Sequence, residues 1–419
     1  MMTDRPRNWA GNIIYAAQTF HRPTSVSELQ AVVAASDRIR ALGTGHSFNR
    51  LADSEAALVS VADLPPTVRI DSERATVTAA AGLRYGELAR QLYDRGYALA
   101  NLGSLPHISI AGACATATHG SGVTNGNLAT SVAALELVGA DGEMAVVRRD
   151  GDAAFFGAVV SLGALGVVTS LTLDIEPAFD IRQYVYDDLP EDRLAQFDEI
   201  MSSAYSVSLF TDWCSRNNQV WVKSRSGDPF TADPRWFGAT LADGPRHPVP
   251  GLPAVNCTQQ LGVLGPWHER LSHFRLEFTP SSGEELQSEY LVPRGRALEA
   301  LAAVDQIRDL VAPVLQICEI RTVAADELWL SPSYGRDTVG IHFTWVPDGR
   351  AVAPVVAAVE RQLAPMEARP HWGKVFGTSP EVVRGLYDRA PDFVRLLRRN
   401  DPTGKFRNAF IDRYFPVDE

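Results

Sequence analysis

Hydrophobic and polar positions alternate between helical and strand periods through the first 177 residues. Ser25-Val26-Ser27-Glu28 has the spacing of a capping box and predicts an amphipathic helix to about residue 35. Further helices are predicted over 85–95, where Gly96 ends the helix, and over 153–160. The predicted strands are 38–42, 75–80, 132–139, 144–148 and 167–175, with a hairpin turn at Asp141-Gly142.

The pattern changes after Pro177. Loops rich in Pro, Gly and Trp occupy 224–267, and two long helical patterns cover 296–315 and 352–363. Strands are predicted between them, over 316–323 and 338–346, and a last helix begins near Ser379-Pro380. This order predicts an α+β protein whose domains are 1–177 and 178–375, with a segment 376–419 that returns to the first domain.

Composition narrows the class of protein. A chain of 419 residues is too long for one compact core and suits two domains. Its content of 45 % hydrophobic and 21 % charged residues is ordinary for a globular protein. A net charge of −11 disfavours binding to nucleic acid or to an anionic membrane surface. Residues 1–9 lack an apolar signal, and the uncharged stretch 157–173 is too short and too polar for a membrane span. We therefore expect a cytoplasmic protein.

The four cysteines are widely separated and form no CxxC pair. This spacing argues against a disulfide framework and against a cysteine zinc site. We expect buried free thiols in a reducing compartment and no bound metal.

A glycine-containing loop, Ala41-Leu42-Gly43-Thr44-Gly45-His46-Ser47, follows the predicted strand 38–42. Its two glycines permit close backbone approach and leave N–H groups free to face an anion such as a diphosphate. A Rossmann turn requires a third glycine three residues further on, where Phe48 stands. Taken alone, the loop fits either an anion site or an ordinary turn.

A second stretch, from residue 103 to residue 122, consists largely of small and hydroxyl-bearing side chains. Such a segment allows backbone to approach a large flat cofactor, and its hydroxyls supply hydrogen bonds. The alternative is a small-residue helix packed tightly against a neighbour. The first loop favours the cofactor interpretation.

Together these segments resemble the FAD domain of the vanillyl-alcohol-oxidase-type flavoproteins, and within them the chain resembles the alditol oxidases, with sugar-lactone oxidases as near relatives. The resemblance extends from Asn8-Trp9-Ala10-Gly11-Asn12 to Asp401-Pro402-Thr403-Gly404-Lys405-Phe406. Further matches are Gly163-Ala164-Leu165-Gly166-Val167-Val168-Thr169, Pro370-His371-Trp372-Gly373-Lys374, and the pairs Glu319/Arg321 and His342/Thr344.

The resemblance implies a two-domain FAD-binding fold, with a substrate domain on a mixed or antiparallel sheet. It implies that His46 carries the flavin covalently, which suits a neutral imidazole as nucleophile beside a phosphate-binding loop. The other cofactor residues implied by the resemblance are Ala41, Leu42, Gly43, Thr44, Gly45, Ser47, Gly103, Ser104, His107, Ser109, Gly112, Thr116, Thr118, His119, Gly120, Val168 and His371.

Charged and polar residues repeat at spacing two on the predicted strands 316–323 and 338–346. Residues at i and i+2 share a face, so Glu319 points with Arg321, and His342 with Thr344. An ordinary salt bridge on a solvated face would give the same pattern. The resemblance implies instead that Ser104, Glu319, Arg321, Thr344 and Lys374 bind substrate, and that Lys374, His342 and Arg321 are catalytic. Either Lys374 or His342 would then remove the hydroxyl proton.

The implied reaction is oxidation of the terminal alcohol of an alditol, such as xylitol or sorbitol, with O2 reduced to hydrogen peroxide by a monomeric enzyme. A sugar-1,4-lactone oxidase on the same fold is the alternative. A nicotinamide-dependent dehydrogenase and a non-catalytic carbohydrate-binding protein are alternatives of other classes. Yellow colour that stays with the acid-precipitated protein would distinguish the two flavin-dependent oxidases from the dehydrogenase and the binding protein.

Overall fold

Parallel and antiparallel sheets occupy the first part of the computed structural model, which describes residues 6–214, 217–279 and 281–417. The strands are β1 (Thr19–His21), β2 (Ile39–Ala41), β3 (Ala57–Val59), β4 (Val68–Asp71), β5 (Thr76–Ala80), β6 (Tyr97–Ala98), β7 (Val132–Val138), β8 (Met144–Arg148), β9 (Val167–Asp174) and β10 (Glu176–Pro177). They form a parallel sheet β1-β3-β2, an antiparallel sheet β4-β5-β9-β7-β8 and the pair β10-β6. All five strands predicted in this part are confirmed to within two residues.

Four helices accompany these strands: α1 (Val26–Ala35), α2 (Tyr85–Tyr93), α3 (Ile110–Ala115) and α4 (Phe155–Ala158). Ser25 caps α1 as predicted, its hydroxyl accepting from the Glu28 amide, but the reciprocal bond of a capping box is shifted by one residue: the Glu28 carboxylate accepts from the amide of Thr24 rather than from that of Ser25. Gly96 follows α2 with a φ of +82°, a left-handed conformation that glycine adopts without strain.

The helix predicted over 153–160 was wrong in length, because only α4 is helical. Leu162 and Gly163 both have positive φ, so the chain leaves the helix before it enters β9. Gly157 lies in α4 against the Trp329 ring, where any Cβ would collide. The residue thus serves close packing rather than helix formation.

The second part of the chain is dominated by one ten-stranded sheet. Its strands are β11 (Asp180–Leu189), β12 (Ser206–Thr211), β13 (Asn217–Arg225), β14 (Arg235–Trp236), β15 (Ala239–Leu241), β16 (Gly265–Pro266), β17 (Leu286–Pro293), β18 (Leu315–Val323), β19 (Thr338–Trp345) and β20 (Arg369–Pro370). They pair antiparallel in the order β14-β15-β11-β13-β12-β18-β19-β17-β20, with β16 on β11. The predicted strands 316–323 and 338–346 are confirmed as β18 and β19.

Some helices of this part pack on one side of the sheet, and the others follow the sheet in the chain. They are α5 (Phe197–Met201), α6 (Ala297–Asp305), α7 (Arg308–Val311), α8 (Gly349–Leu363), α9 (Pro380–Gly385), α10 (Ala390–Asn400) and α11 (Ala409–Tyr414). The single helix predicted over 296–315 was wrong. The chain breaks at Ile307, and Pro313 converts the end into a 3₁₀ turn before β18. The helix beginning at Ser379-Pro380 is confirmed, with the Ser379 hydroxyl accepting from the Val382 amide.

The C-terminal segment packs against the first part of the chain. The buried Arg40 guanidinium donates to the carbonyls of Leu51, Leu162 and Gly163 and to that of Phe406, at 2.6–2.9 Å. Lys405 donates to the Val33 carbonyl at 2.8 Å. Arg40 therefore fastens three separate segments beneath the glycine-containing loop. The division of the chain near Pro177 stays a prediction, although β10 and β11 on either side belong to different sheets.

Cys114, Cys257 and Cys318 are buried free thiols, as expected, whereas the expectation was wrong for the exposed Cys214. Cys214 lies in the turn after β12, with its amide bonded to Asp212 rather than packed in the sheet. Within residues 6–214, 217–279 and 281–417, no helix combines the length and apolar character needed to cross a membrane.

Candidate active site

A cavity of about 440 Å³ lies between the two parts of the chain. Its walls are the glycine-containing loop, the small-residue stretch and the polar face of β17, β18 and β19. The predicted site residues that line it are Ala41, Leu42, Gly43, Thr44, Gly45, His46, Ser47, Gly103, Ser104, Ser109, Gly112, Thr116, Thr118, His119, Val168, Glu319, Arg321, His342, Thr344, His371 and Lys374.

Two predicted cofactor residues, His107 and Gly120, lie outside this lining. The His107 ring is close to backbone groups of Leu276 and Phe278. At Gly120 a Cβ would collide with the Leu102 carbonyl and the Asn101 side chain. The cofactor role of these two residues stays a prediction, and glycine at 120 is explained by backbone packing.

His46 is held at the cavity wall by the loop that precedes it. Its Nδ1 lies 3.0 Å from the Thr44 hydroxyl, and its ring stacks on Trp9 with centroids 5.3 Å apart. Nε2 is buried and has no hydrogen-bond partner among the described residues. Burial, reinforced by the nearby His107, lowers the pKa of His46 to about 4. The imidazole is therefore neutral at physiological pH, with one unsatisfied nitrogen at the cavity.

The loop and the small-residue stretch approach each other closely because glycines stand at the contact. A Cβ at Gly43 would lie 2.5 Å from the Ser109 hydroxyl oxygen, and one at Gly112 would lie 2.9 Å from the same atom. The Ser109 amide donates to the Thr44 hydroxyl at 3.3 Å. The start of α3 is thereby fixed against the loop, so both segments present backbone to the same space.

Strand register brings three ionisable residues into one row on the opposite wall. His342 on β19 pairs with Glu289 on β17 and with Glu319 on β18. Directly opposite residues of an antiparallel sheet share a face, so the three side chains project together into the cavity. The predicted pairs behave as expected: Arg321 Nε lies 3.6 Å from Glu319 Oε2, and His342 Nε2 lies 3.2 Å from the Thr344 hydroxyl.

Glu289 is the central anion of this row and is only 1 % exposed. Its Oε2 lies 2.6 Å from Lys374 Nζ, and its Oε1 lies 2.8 Å from Arg321 and 3.1 Å from His119 Nε2. Burial raises the pKa of Glu289, but Lys374, His119 and Arg321 outweigh it and hold the pKa well below its usual range. Glu289 is therefore a buried carboxylate.

Lys374 is positioned from both sides of the cavity. The Asn49 side chain, just after the glycine-containing loop, donates to the carbonyls of Trp372 and Lys374, both at 2.8 Å. The Val375 amide donates to the Gln287 carbonyl of β17 at 2.8 Å. Burial lowers the pKa of Lys374, an effect that Glu289 opposes. Lys374 Nζ also bonds His342 Nδ1, and burial together with Lys374 lowers the pKa of His342 to about 4.

Glu319 has a second chain of buried partners behind it. Its Oε1 lies 2.7 Å from His273 Nε2, and His273 Nδ1 lies 3.0 Å from Lys223 Nζ. Burial lowers the pKa of Lys223 to about 7 and, helped by Lys223, that of His273 to about 4. Burial raises the pKa of Glu319, but Arg321 and His273 outweigh it and keep the group a carboxylate. One oxygen of Glu319 is thus committed to His273, and the other faces Arg321.

Arg321 and Ser104 connect the two walls. Arg321 Nη1 donates to the Ser104 hydroxyl at 3.2 Å, and the Ser104 carbonyl accepts from the His273 amide at 3.1 Å. The Ser272 hydroxyl donates to the Gly103 carbonyl at 2.9 Å. The small-residue stretch is therefore held directly against the charged strands.

Sequence reasoning missed Glu289, His273 and Lys223. Glu289 lies on β17, where three successive polar residues are buried, so no alternation marks the strand. Lys223 could have been noticed through composition, because the chain has only three lysines among 39 basic residues. In a chain that uses arginine for nearly all its basic residues, a lysine indicates a site that needs a compact, titratable amine.

Comparisons with known proteins agree with this geometry. The family described as an FAD binding domain matches residues 17–148, and that described as D-arabinono-1,4-lactone oxidase matches 283–414. An alditol oxidase of Streptomyces sp. is 55 % identical over 98 % of this chain and 99 % of its own length. An L-gulono-1,4-lactone dehydrogenase of Mycobacterium tuberculosis is 29 % identical over 97 % of this chain and 98 % of its own.

Among solved structures, cholesterol oxidase from Brevibacterium sterolicum has a TM-score of 0.79 at 16 % identity and covers 99 % of this chain and 97 % of its own. This likeness concerns the fold alone. The fold and the matched families define a flavoprotein of the vanillyl-alcohol-oxidase type. Within that class, the identity over nearly the full chain shows that the protein belongs to the alditol oxidase family. It is an FAD-dependent oxidase, and the predicted α+β fold and family are confirmed.

The cavity residues fit FAD. The glycine-containing loop and the start of α3 bring backbone amides to one end of the cavity, which suits a diphosphate. His46 supplies a neutral imidazole whose Nε2 lacks a partner among the described residues. Lys374, Arg321 and His342 line the same cavity as the glycine-containing loop and His46, so a bound flavin would share one space with these groups.

Proposed function

We propose that the protein oxidises the terminal primary alcohol of an alditol, such as xylitol or sorbitol, to the aldose and reduces O2 to hydrogen peroxide. The observation that carries this proposal is the shared cavity, in which the glycine-containing loop faces a largely buried set of two carboxylates, a guanidinium, a lysine amine and hydroxyls. A hydroxyl chain needs many fixed donors and acceptors, and hydrogen bonds to charged groups contribute about 1.5–3 kcal/mol each.

The side chains divide by chemistry. Glu319 accepts hydrogen bonds from substrate hydroxyls through the oxygen that His273 does not occupy, while Ser104 and Thr344 can both donate and accept. Arg321 and Lys374 donate to substrate oxygens, and they stabilise negative charge that develops when a hydroxyl proton leaves. Lys374 and His342, which share a hydrogen bond, are the two candidates to receive that proton.

FAD, when bound, supplies the hydride acceptor for the carbon that carries the reacting hydroxyl. The protein's own residues bind the polyol, orient one terminal carbon and keep the buried charges paired in a site largely closed to water. The 55 % identity to an alditol oxidase supports this substrate class over the lactones named for the more distant relatives. Anaerobic flavin reduction tests it: rapid reduction by a sugar-1,4-lactone and none by sorbitol would replace this proposal with the lactone-oxidase alternative.

We also propose that FAD is attached covalently through His46. The neutral ring, its unpartnered Nε2 and its place beside the glycine-containing loop support this attachment. His46→Ala should lose the yellow colour on acid precipitation, whereas the matched change His268→Ala, at a histidine outside the cavity that packs on Tyr93, should retain it. Flavin that stays with acid-precipitated His46→Ala would show that the anchor is elsewhere.

The protein is further proposed to be a cytoplasmic monomer. Four free thiols suit a reducing compartment, which supports the first part of this statement. Light scattering behind size exclusion tests the second, and a mass of twice 45.6 kDa would contradict it.

A further inference from the structure

Glu289 belongs to no predicted site and binds the two cations that face the substrate space. It contacts Lys374 at 2.6 Å through one oxygen and Arg321 at 2.8 Å through the other. Both oxygens are thereby occupied, and the residue is 1 % exposed. A carboxylate this deeply buried, with a cation on each oxygen, offers little surface to a polyol, so we expect its effect to pass through its partners.

The surrounding backbone keeps Glu289 in this place. The residue pairs with His342 on β19, and its carbonyl accepts from the His371 amide at 2.9 Å. Next to it, a Cβ at Gly340 would lie 3.1 Å from Glu289 Oε1 and 3.3 Å from His119 Cε1. The glycine therefore leaves just enough room for the carboxylate and the imidazole to meet.

We propose that Glu289 is a positioning residue that holds Lys374 as an ammonium ion and aims both Lys374 and Arg321 at the substrate oxygens. The inference rests on the proposed alditol oxidation and deepens it. An ammonium ion has no lone pair, so Lys374 acts as a hydrogen-bond donor and the hydroxyl proton goes to a group other than Lys374.

Charge balance in the buried row supports this assignment. Glu289 and Glu319 are two anions that face the Arg321 guanidinium and the Lys374 amine, with His342 neutral and His119 Nε2 3.1 Å from Glu289. Removal of Glu289 would leave two cations against one carboxylate in a site shielded from water, which disfavours the charged amine. The ionisable groups that face Lys374 from the packed elements are Glu289, Glu319, Arg321, His342 and His371.

The low lysine count makes a direct test practical. Protein labelled with 15N-lysine carries only three side-chain Nζ signals, from Lys223, Lys374 and Lys405, and Lys374→Arg assigns the one of interest. In the wild-type holoenzyme, Lys374 should be an ammonium ion at pH 7. In Glu289→Gln it should lose its proton at lower pH than in the wild type, and Glu289→Asp should restore part of the difference.

The same variants should alter catalysis. Anaerobic flavin reduction by sorbitol at pH 7 should fall at least about tenfold in Glu289→Gln, mainly in the limiting rate rather than in the half-saturating sorbitol concentration. Glu360→Gln is the matched control, because Glu360 contacts the neighbouring Tyr290 hydroxyl outside the cavity. It should reduce within about twofold of the wild type.

A neutral Lys374 at pH 7 in the wild type, an unchanged Lys374 titration in Glu289→Gln, or a wild-type reduction rate in that variant would each overturn the role of Glu289. If Glu289→Gln does not fold, a neutral Lys374 in the wild type would still overturn the role, and the Lys374 titration in Glu289→Asp takes the place of the comparison. The NMR measurement needs no substrate, so its failure rejects Glu289 alone. Failure of the wild type to be reduced by sorbitol rejects the proposed function instead.

Discussion

Replacement of Glu319 by glutamine probes hydroxyl recognition with little change of shape. In the structure, Glu319 Oε1 accepts from His273 at 2.7 Å, and Oε2 lies 3.6 Å from Arg321 Nε. The glutamine oxygen can keep the His273 bond. Its NH2 group then stands where an acceptor was, facing both Arg321 and the substrate hydroxyls.

The expected magnitude follows from these contacts. A hydrogen bond to a charged group contributes about 1.5–3 kcal/mol and one between neutral groups about 0.5–1.5 kcal/mol, so each hydroxyl loses about 1 kcal/mol. Two hydroxyls on the free oxygen give about 2 kcal/mol. We therefore expect kcat/KM for sorbitol to fall about 30-fold, and at least about tenfold, in Glu319→Gln.

The assay is anaerobic stopped-flow reduction, with sorbitol and with deoxy analogues that each lack one hydroxyl. If Glu319 binds a given hydroxyl, the wild type should be reduced more slowly by the analogue that lacks this hydroxyl than by sorbitol. Glu319→Gln should show a much smaller difference between the two substrates, because the variant has already lost the interaction with that hydroxyl. The matched control is Glu176→Gln, which also removes a carboxylate from an arginine, here Arg225 at 3.3 Å outside the cavity. Fully additive losses for every deoxy analogue would refute contact between Glu319 and the substrate.

Three further predictions concern oxygen, stability and acid. Gly103→Val should slow reoxidation of the reduced enzyme by O2 more than it slows anaerobic reduction, because Gly103 lines the cavity and a larger side chain would narrow it. A variant that is reoxidised as fast as the wild type would show that Gly103 does not provide room for O2. Arg40→Met leaves four buried carbonyls without their donor and should lower the free energy of unfolding by about 3 kcal/mol or more in urea titrations, whereas Arg74→Met, at an exposed arginine, should change it by under about 0.5 kcal/mol. His273 and His342 have folded pKa values of about 4, below the ordinary 6.5, so the unfolded state binds more protons between these values and stability should fall as pH drops from 6.5 towards 4. A urea midpoint constant from pH 7 to pH 5 would contradict this last prediction.

Much of the fold was predictable where local signals agree with the final structure. The N-cap at Ser25 and the turn at Asp141-Gly142 act within a few residues, and both lie where predicted. The helix over 296–315 failed because a continuous apolar period does not show where the chain turns back. At Ile307 the requirement to start β18 in register with β19 prevails over helix propensity.

The candidate site was predictable only where it coincides with a short motif. His46 stands in a glycine-containing loop, and Glu319 with Arg321 shows the spacing of one strand face, so both were found. Glu289 carries no such mark, because Gln287, Ser288 and Glu289 are all buried and hide the alternation of β17. What makes Glu289 significant is its register beside His342 and its approach to Lys374, which is 85 residues away in the chain.

The buried charges of the site act as one unit. Each carboxylate of the row is stabilised by basic groups: Glu289 by Lys374 and Arg321, and Glu319 by Arg321 on its own strand and by a hydrogen bond with the neutral His273. Arg321 is common to both, so a change at either glutamate alters the field at the other, and single substitutions should not add. A double variant of Glu289→Gln and Glu319→Gln should therefore lose less reduction rate than the product of the two separate losses. Independent, multiplicative losses would show that the two carboxylates act on separate parts of the reaction.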